Sequence, residues 1–248
     1  MHSQTKRLIK AILKDCINRT IKRLSVDTTH RPFHEALLTK KLVISAAFER
    51  SFSTSFGQGP IEQISEIIAS GAGAECKRQK ETMANVYKGA IDEIERITSA
   101  LRSGDKKPNW DAEIKKILAH KKGDTEVRRV ISDLWIKKDD EEIFISIKTV
   151  KPNLDQTEIA KKDLLLLKAH NNQFKAYFGL FYNPGGNKRD DYNWSIPSKI
   201  FNMKEDDCVL IGKDYWNLLG GEGTYNKLLS IFKEVGKETQ KKLLQLYS

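Results

Sequence analysis

Asp133 and Lys148 are the residues whose types and spacing promise chemistry. They stand in two alternating stretches, VRRVISDLWIK and EIFISIKTV, separated by the polar KDDE. Alternation, a tight polar turn and renewed alternation predict a β-hairpin. Residues two apart on a strand share a face, so Asp133 lies with Ile131 and Trp135, and Ser146 lies with Phe144 and Lys148. A symmetric reversal between Asp139 and Asp140 sets Asp133 opposite Ser146, with Lys148 its diagonal neighbour. A carboxylate and an amine projecting together suit metal-assisted phosphodiester hydrolysis. The aspartate can hold Mg²⁺, which lowers the pKa of bound water, and the lysine can orient that water or offset charge on the phosphorus centre. An ordinary cross-strand ion pair has the same residues, and D…xxK recurs by chance in lysine-rich chains.

Positioning this pair falls to an α/β arrangement. Residues 5–24 carry Leu8, Ile9, Ile12, Leu13, Cys16, Ile17, Ile21 and Leu24 at helical spacing, with Lys and Arg on the other face, free to meet DNA or water. A second helical stretch follows Pro32 to about Phe52, STSFGQGP breaks it, and IEQISEIIAS forms a short helix stopped by Gly71. Val86, Ala90, Ile91, Ile94, Ile97 and Leu101 predict a helix over about 82–102, and Pro108 opens another through Ile114, Ile117 and Leu118. After the hairpin, DQTEIAKKDLLLLKAH predicts a helix, KAYFGLFYN a buried strand, NPGGNKRDDYN a polar loop and DCVLIG a further strand, before closing short helices. The economical reading is a single domain over 1–248, with a mainly helical part at 1–125 and a sheet with C-terminal helices at 126–248.

Composition narrows the classes. The 43 Lys and Arg against 33 Asp and Glu leave a net charge of +10, which favours a polyanionic partner, nucleic acid foremost. Hydrophobic residues at 39% exclude a disordered chain, and no apolar run approaches the roughly 18 residues of a membrane span. MHSQTKRLIKAILKDC has no uninterrupted apolar core, so no secretion signal and no membrane association is expected, and the expected location is cytoplasmic. Cys16, Cys76 and Cys208 are scattered and odd in number, as reduced thiols would be.

A strand-borne Asp, a hairpin, a second strand ending in Lys, a helix and another apolar strand resemble the core of the PD-(D/E)xK nucleases, a restriction-endonuclease-like mixed sheet flanked by helices. More narrowly, FERSFSTSFGQGPIEQI, SDLWIKKDDEEIFISIKTVKPN, YNPGGNKRDDYNW and VLIGKDYWNLLGGEGTYNKLLSIFKEVG, in that order, resemble the TdeIII family of type II restriction endonucleases over roughly 31–236. The resemblance implies a Mg²⁺-dependent endonuclease on double-stranded DNA, leaving 5′-phosphate and 3′-hydroxyl ends. It further implies a homodimer on a short symmetric site, with GGNCC the candidate. Asp133 matches the first acid and Lys148 the lysine, with the main chain at Ile147 beside the metal. The second acid belongs at 146, where this chain has Ser146, whose hydroxyl binds Mg²⁺ less tightly than a carboxylate. Glu158 and Glu62 are candidates to replace it. Asp155-x-x-Glu158 also fits a capping box, and Glu62 also suits the dipole of a first helical turn. Glu49 is a weaker candidate. Loss of the second acid leaves a different reading open, a silent duplex-binding protein on the nuclease scaffold.

DNA register comes from backbone contacts and sequence choice from base edges. Lys151, Asn153 and Gln156 follow the catalytic strand, and Asn183, Asn187, Lys188, Arg189, Asp190 and Asp191 share a loop in which Arg can read guanine and a carboxylate cytosine. A solvated turn is the plainer alternative for that loop. Other chemistries lack their patterns. Gly71-x-Gly73 and Gly220-Gly221-x-Gly223 are not dinucleotide fingerprints, His170-Asn171-Asn172 lacks a metal-binding hairpin, His30 and His34 lack a third ligand, and no GxSxG occurs.

Overall fold

The computed structural model describes residues 1–57 and 59–244. Helices α1 (Ser3–Ser25), α2 (Pro32–Leu37), α3 (Lys40–Gly57) and α4 (Pro60–Gly71) precede strand β1 (Glu75–Tyr87). Helices α5 (Lys88–Ser103) and α6 (Trp110–Leu118) lead to the hairpin β2 (Thr125–Lys138) and β3 (Glu141–Lys148). Then come α7 (Leu154–His170), β4 (Lys175–Leu180), β5 (Val209–Ile211), α8 (Lys213–Gly220) and α9 (Thr224–Leu244). The strands form a five-stranded sheet in the order β1-β2-β3-β4-β5, antiparallel from β1 to β3 and parallel from β3 to β5. The parallel crossover from β3 to β4 is made by α7, as parallel pairing requires.

The sheet is packed on both sides. Trp135 and Phe144 face a core built with Ile91, Ile94, Ile97 and Leu101 of α5, Ile117 of α6 and Ala160, Leu164 and Leu167 of α7. Leu134, Ile136 and Ile145 face the opposite way, onto Ile9 and Leu13 of α1, Ile61, Ile64 and Ile68 of α4, Trp216 of α8 and Ile231 of α9. Each fully buried Leu or Ile contributes about 1.5–3 kcal/mol. Inside the first core Lys161 is wholly buried and pairs with Glu113 at 2.5 Å, its ammonium 4.5 Å from the Phe201 ring centre.

The hairpin register matches the expected reversal. Leu134 faces Ile145, Trp135 faces Phe144 and Lys138 faces Glu141. Asp139 takes the left-handed conformation (φ 53°) at the turn, which Asp tolerates better than most residues.

Three local expectations need correction. The helix expected over 82–102 starts only at Lys88, because residues 75–87 form β1, an outer strand along the whole of β2. The helix expected to end at Phe52 divides at Leu38 and Thr39 and then runs to Gly57. Gln58, in the expected GQGP break, lies outside the described residues, and the chain turns at Gly59 (φ 100°) before Pro60 opens α4. Asn153, rather than Asp155, caps α7, its side chain accepting from the Gln156 amide.

Candidate active site

Asp133 lies one residue past the last β2–β3 pair, at the fork where β2 leaves β3 and continues beside β1 alone. Its Oδ2 accepts from the Ile147 amide at 2.7 Å and from Lys148 Nζ at 3.0 Å. Both side chains are partly buried, 19% exposed for Asp133 and 22% for Lys148, so the pair is shielded from bulk water yet reachable. The amide is donated by a residue that cannot move without breaking the β3–β4 ladder, and this fixes the carboxylate orientation.

Glu62, in the first turn of α4, reaches the same place through Gln79. Gln79 Nε2 lies 3.0 Å from Glu62 Oε2 and 3.4 Å from Asp133 Oδ1, the second a weak contact. Gln79 is absent from the β1–β2 ladder, flanked by the Arg78–Leu134 and Lys80–Ser132 pairs, and has φ 49°. Left-handed backbone at a non-glycine residue costs about 1–3 kcal/mol and concentrates at functional sites. Burial pushes the Glu62 carboxyl upward, the Gln79 hydrogen bond opposes this, and the Asp133 charge raises it further. Two carboxylates sharing one neutral donor form a hard-oxygen donor set that suits Mg²⁺.

Asp163 is the acid that sequence reasoning missed. It stands between Ala160 and Leu167 on the stripe of α7 that packs over the Trp135–Phe144 face of the sheet. Alternation puts Asp133, Ser146 and Lys148 on that face as well. Its carboxyl is pushed up to about 6, chiefly by burial, with Lys148 opposing and the Asp133 charge adding to the rise. An acid interrupting an otherwise apolar stripe was its only signal in the sequence.

Glu158 is held elsewhere. Its two oxygens meet Arg102 at 2.5 Å and Lys162 at 3.2 Å, and these ion pairs hold its carboxyl below the usual range against the effect of burial. Glu49 bonds Ser53 on its own helix. Ser146 is 7% exposed beneath the site. Among the described residues no three His, Cys, Asp or Glu side chains are gathered closely enough to cage a metal. Mg²⁺ commonly uses one or two carboxylates, with phosphate and water completing its shell, so Asp133 and one further acid fit it.

The segments expected to meet DNA are tied to the chain just beyond Lys148. Tyr192 donates to the Val150 carbonyl at 3.0 Å and Trp194 Nε1 to that of Pro152 at 3.2 Å, fastening the loop to the chain just after Lys148. Lys151, Asn183 and Asn187 line one recess of about 870 Å³. Lys151 Nζ sits 5.3 Å from the Trp194 ring centre. Within the loop several polar groups are already engaged: Asn183 donates to the Lys188 carbonyl, and Asp191 accepts from the Lys188 amide. Arg189 departs most from expectation, donating to the carbonyls of Met203 at 2.9 Å and Asp206 at 2.5 Å. Asn187, Lys188 and Asp190 remain exposed, while Asn153 and Gln156 meet at the α7 cap. The α1 face thought free for DNA is partly engaged, with Lys6 and Lys10 paired to Glu234 at 2.9 and 2.7 Å.

A mixed sheet flanked by helices, with an acid and a lysine meeting at its fork, is consistent with a restriction-endonuclease-like fold. The chain belongs to the HinfI family of type II restriction endonucleases, whose family model matches residues 1–236. Type II restriction enzyme HgiBI of Herpetosiphon aurantiacus is 31% identical over 234 residues, covering 90% of this chain and 84% of its own. Type II restriction enzyme MjaII of Methanocaldococcus jannaschii is 27% identical over 254 residues, covering 88% and 66% respectively. The expected relation to type II restriction endonucleases holds, the matching family model bearing the HinfI rather than the TdeIII name. The protein is thus a site-specific endonuclease whose partner is DNA. No helix among the described residues is long and apolar enough to cross a membrane.

Proposed function

We propose that this endonuclease hydrolyses phosphodiester bonds of double-stranded DNA at a short symmetric site in a Mg²⁺-dependent reaction, leaving 5′-phosphate and 3′-hydroxyl ends. The observation that carries the reading is the contact of Lys148 Nζ and the Ile147 amide with one oxygen of Asp133. Asp133 and Glu62 would hold Mg²⁺, which polarises the phosphate and makes bound water more acidic. Lys148 orients the attacking water through its ammonium protons and offsets negative charge at phosphorus. Water oxygen bonds to phosphorus as the bond to the 3′-oxygen breaks, and that oxygen takes up a proton. Lys151 and Asn187, which line one recess, and the exposed Lys188 and Asp190 would meet the duplex, and the +10 charge favours it. Two copies related by a twofold axis would match a symmetric site such as GGNCC and cut one strand each.

Plasmid digestion with Mg²⁺ tests the reading, followed by run-off sequencing of the ends. Discrete fragments are expected. Lys148→Ala should lower the rate by about 10²–10³-fold while duplex binding in Ca²⁺ persists. Plasmid left intact across Mg²⁺, Mn²⁺ and Co²⁺ by a chain that still binds duplex would replace the enzyme with a silent binder.

A further inference from the structure

We propose that Asp163 supplies the carboxylate that position 146 lacks, holding the metal together with Asp133 from across the face of the sheet. The inference rests on the metal-dependent nuclease reading above and names a residue that reading does not use. Three observations support it. Asp163 is half-buried, at the edge of the α7 face on which its i−3 and i+4 neighbours, Ala160 and Leu167, are fully buried. The face it covers carries Asp133, Ser146 and Lys148. Among the described residues no hydrogen bond or ion pair reaches its carboxylate, whereas Glu113 on the same side of the sheet is matched by Lys161 and Glu158 by Arg102 and Lys162. A partly buried acid beside another acid, without a partner of its own, has the character of a group awaiting a cation.

Ser146 completes the reasoning. A carboxylate at 146 would lie on the same strand face as Lys148. The hydroxyl there leaves one acid too few on the strand, and Asp163 descends on that face from the helix that follows. Asp163 would then take the ligand place that the reading above gives to Glu62, beside Asp133, with phosphate and water as the remaining ligands.

Mn²⁺ binding to the full chain without DNA, followed by loss of the free-ion electron paramagnetic resonance signal, tests this independently of cleavage. Circular dichroism first establishes that each variant is folded, with Asp163→Ser as the substitute should Asp163→Asn misfold. Asp163→Asn should weaken Mn²⁺ binding by about 10–100-fold. Adding Ser146→Asp to that variant should restore most of the loss, since it returns an acid to the same face. Unchanged Mn²⁺ affinity in Asp163→Asn, or a folded double variant that stays weak, overturns the proposal. Asp133→Asn separates the two levels: affinity lost there but retained in Asp163→Asn sinks only the role of Asp163. Mn²⁺ affinity unaffected by either change, or no Mn²⁺ binding by the parent chain with or without duplex DNA, removes the metal centre as well.

Discussion

Replacing Asp163 by Asn should make the metal-free protein more stable, by an amount that grows with pH. The folded-state carboxyl is pushed up to about 6 from an ordinary value of 3.8, mainly by burial of this α7 side chain and also by the Asp133 charge, with Lys148 opposing. The folded protein therefore binds this proton more tightly than the unfolded chain does. Stability is lost as pH rises from about 4 through about 6, and the full cost is present above that window. Each pH unit of difference is worth about 1.36 kcal/mol, so the ionised side chain costs about 3 kcal/mol at pH 8. At pH 5, where the folded protein is mostly protonated at this site, the cost is about 1.5 kcal/mol. Urea unfolding of both proteins in EDTA across this range measures the difference, from which effects of all other titrating groups largely cancel. A gain near 3 kcal/mol would raise the thermal midpoint by about 6–12 °C for a chain of this size. An equal gain at pH 5 and pH 8, or a variant less stable at pH 8, would refute the view that Asp163 is a charged, unpartnered acid.

Glu158→Gln should leave Mg²⁺-dependent cleavage within about twofold of the parent, because Arg102 and Lys162 hold that carboxylate in a partly exposed ion-pair network whose energy is modest; a plasmid-cleavage time course would show it. Arg189→Ala should destabilise the loop by about 1.5–3 kcal/mol through loss of its bonds to the Met203 and Asp206 carbonyls, without changing which sequence is cut, as urea titration and end sequencing would reveal. Lys161→Met should cost about 3–5 kcal/mol in urea unfolding by stranding Glu113, and adding Glu113→Leu should recover most of that loss.

The hairpin was legible because its chemistry is local: period-two alternation on either side of KDDE leaves little choice of register, and Leu134 does meet Ile145. β1 was not. ECKRQKETMANVY has few apolar residues, and only Ala84 and Val86 near its end are buried, since an outer strand of this kind is defined by its partner β2 rather than by its own pattern. Missing β1 concealed Gln79, whose placement depends on the β1–β2 pairing. Glu62 was reachable from the sequence through the resemblance of its segment, and the structure puts it one amide away from Asp133. Glu158 is drawn from the sequence by its place on the helix after Lys148, whereas Asp163 carries no such mark. The two are five residues apart on α7, which at 3.6 residues per turn points them about 140° apart. One faces Arg102 at the rim, the other the sheet.

The two-residue reversal at Asp139 and Asp140 gains a significance beyond its own contacts. Because side chains on a strand alternate, a one-residue slip of β3 against β2 would send Lys148 to the far side of the sheet from Asp133, and the turn closes the hairpin in the register that keeps both on one side. The packed faces of both strands and the β3–β4 ladder hold that register as well, so an extra residue at the turn should be taken up as a longer loop rather than passed on to the reacting groups.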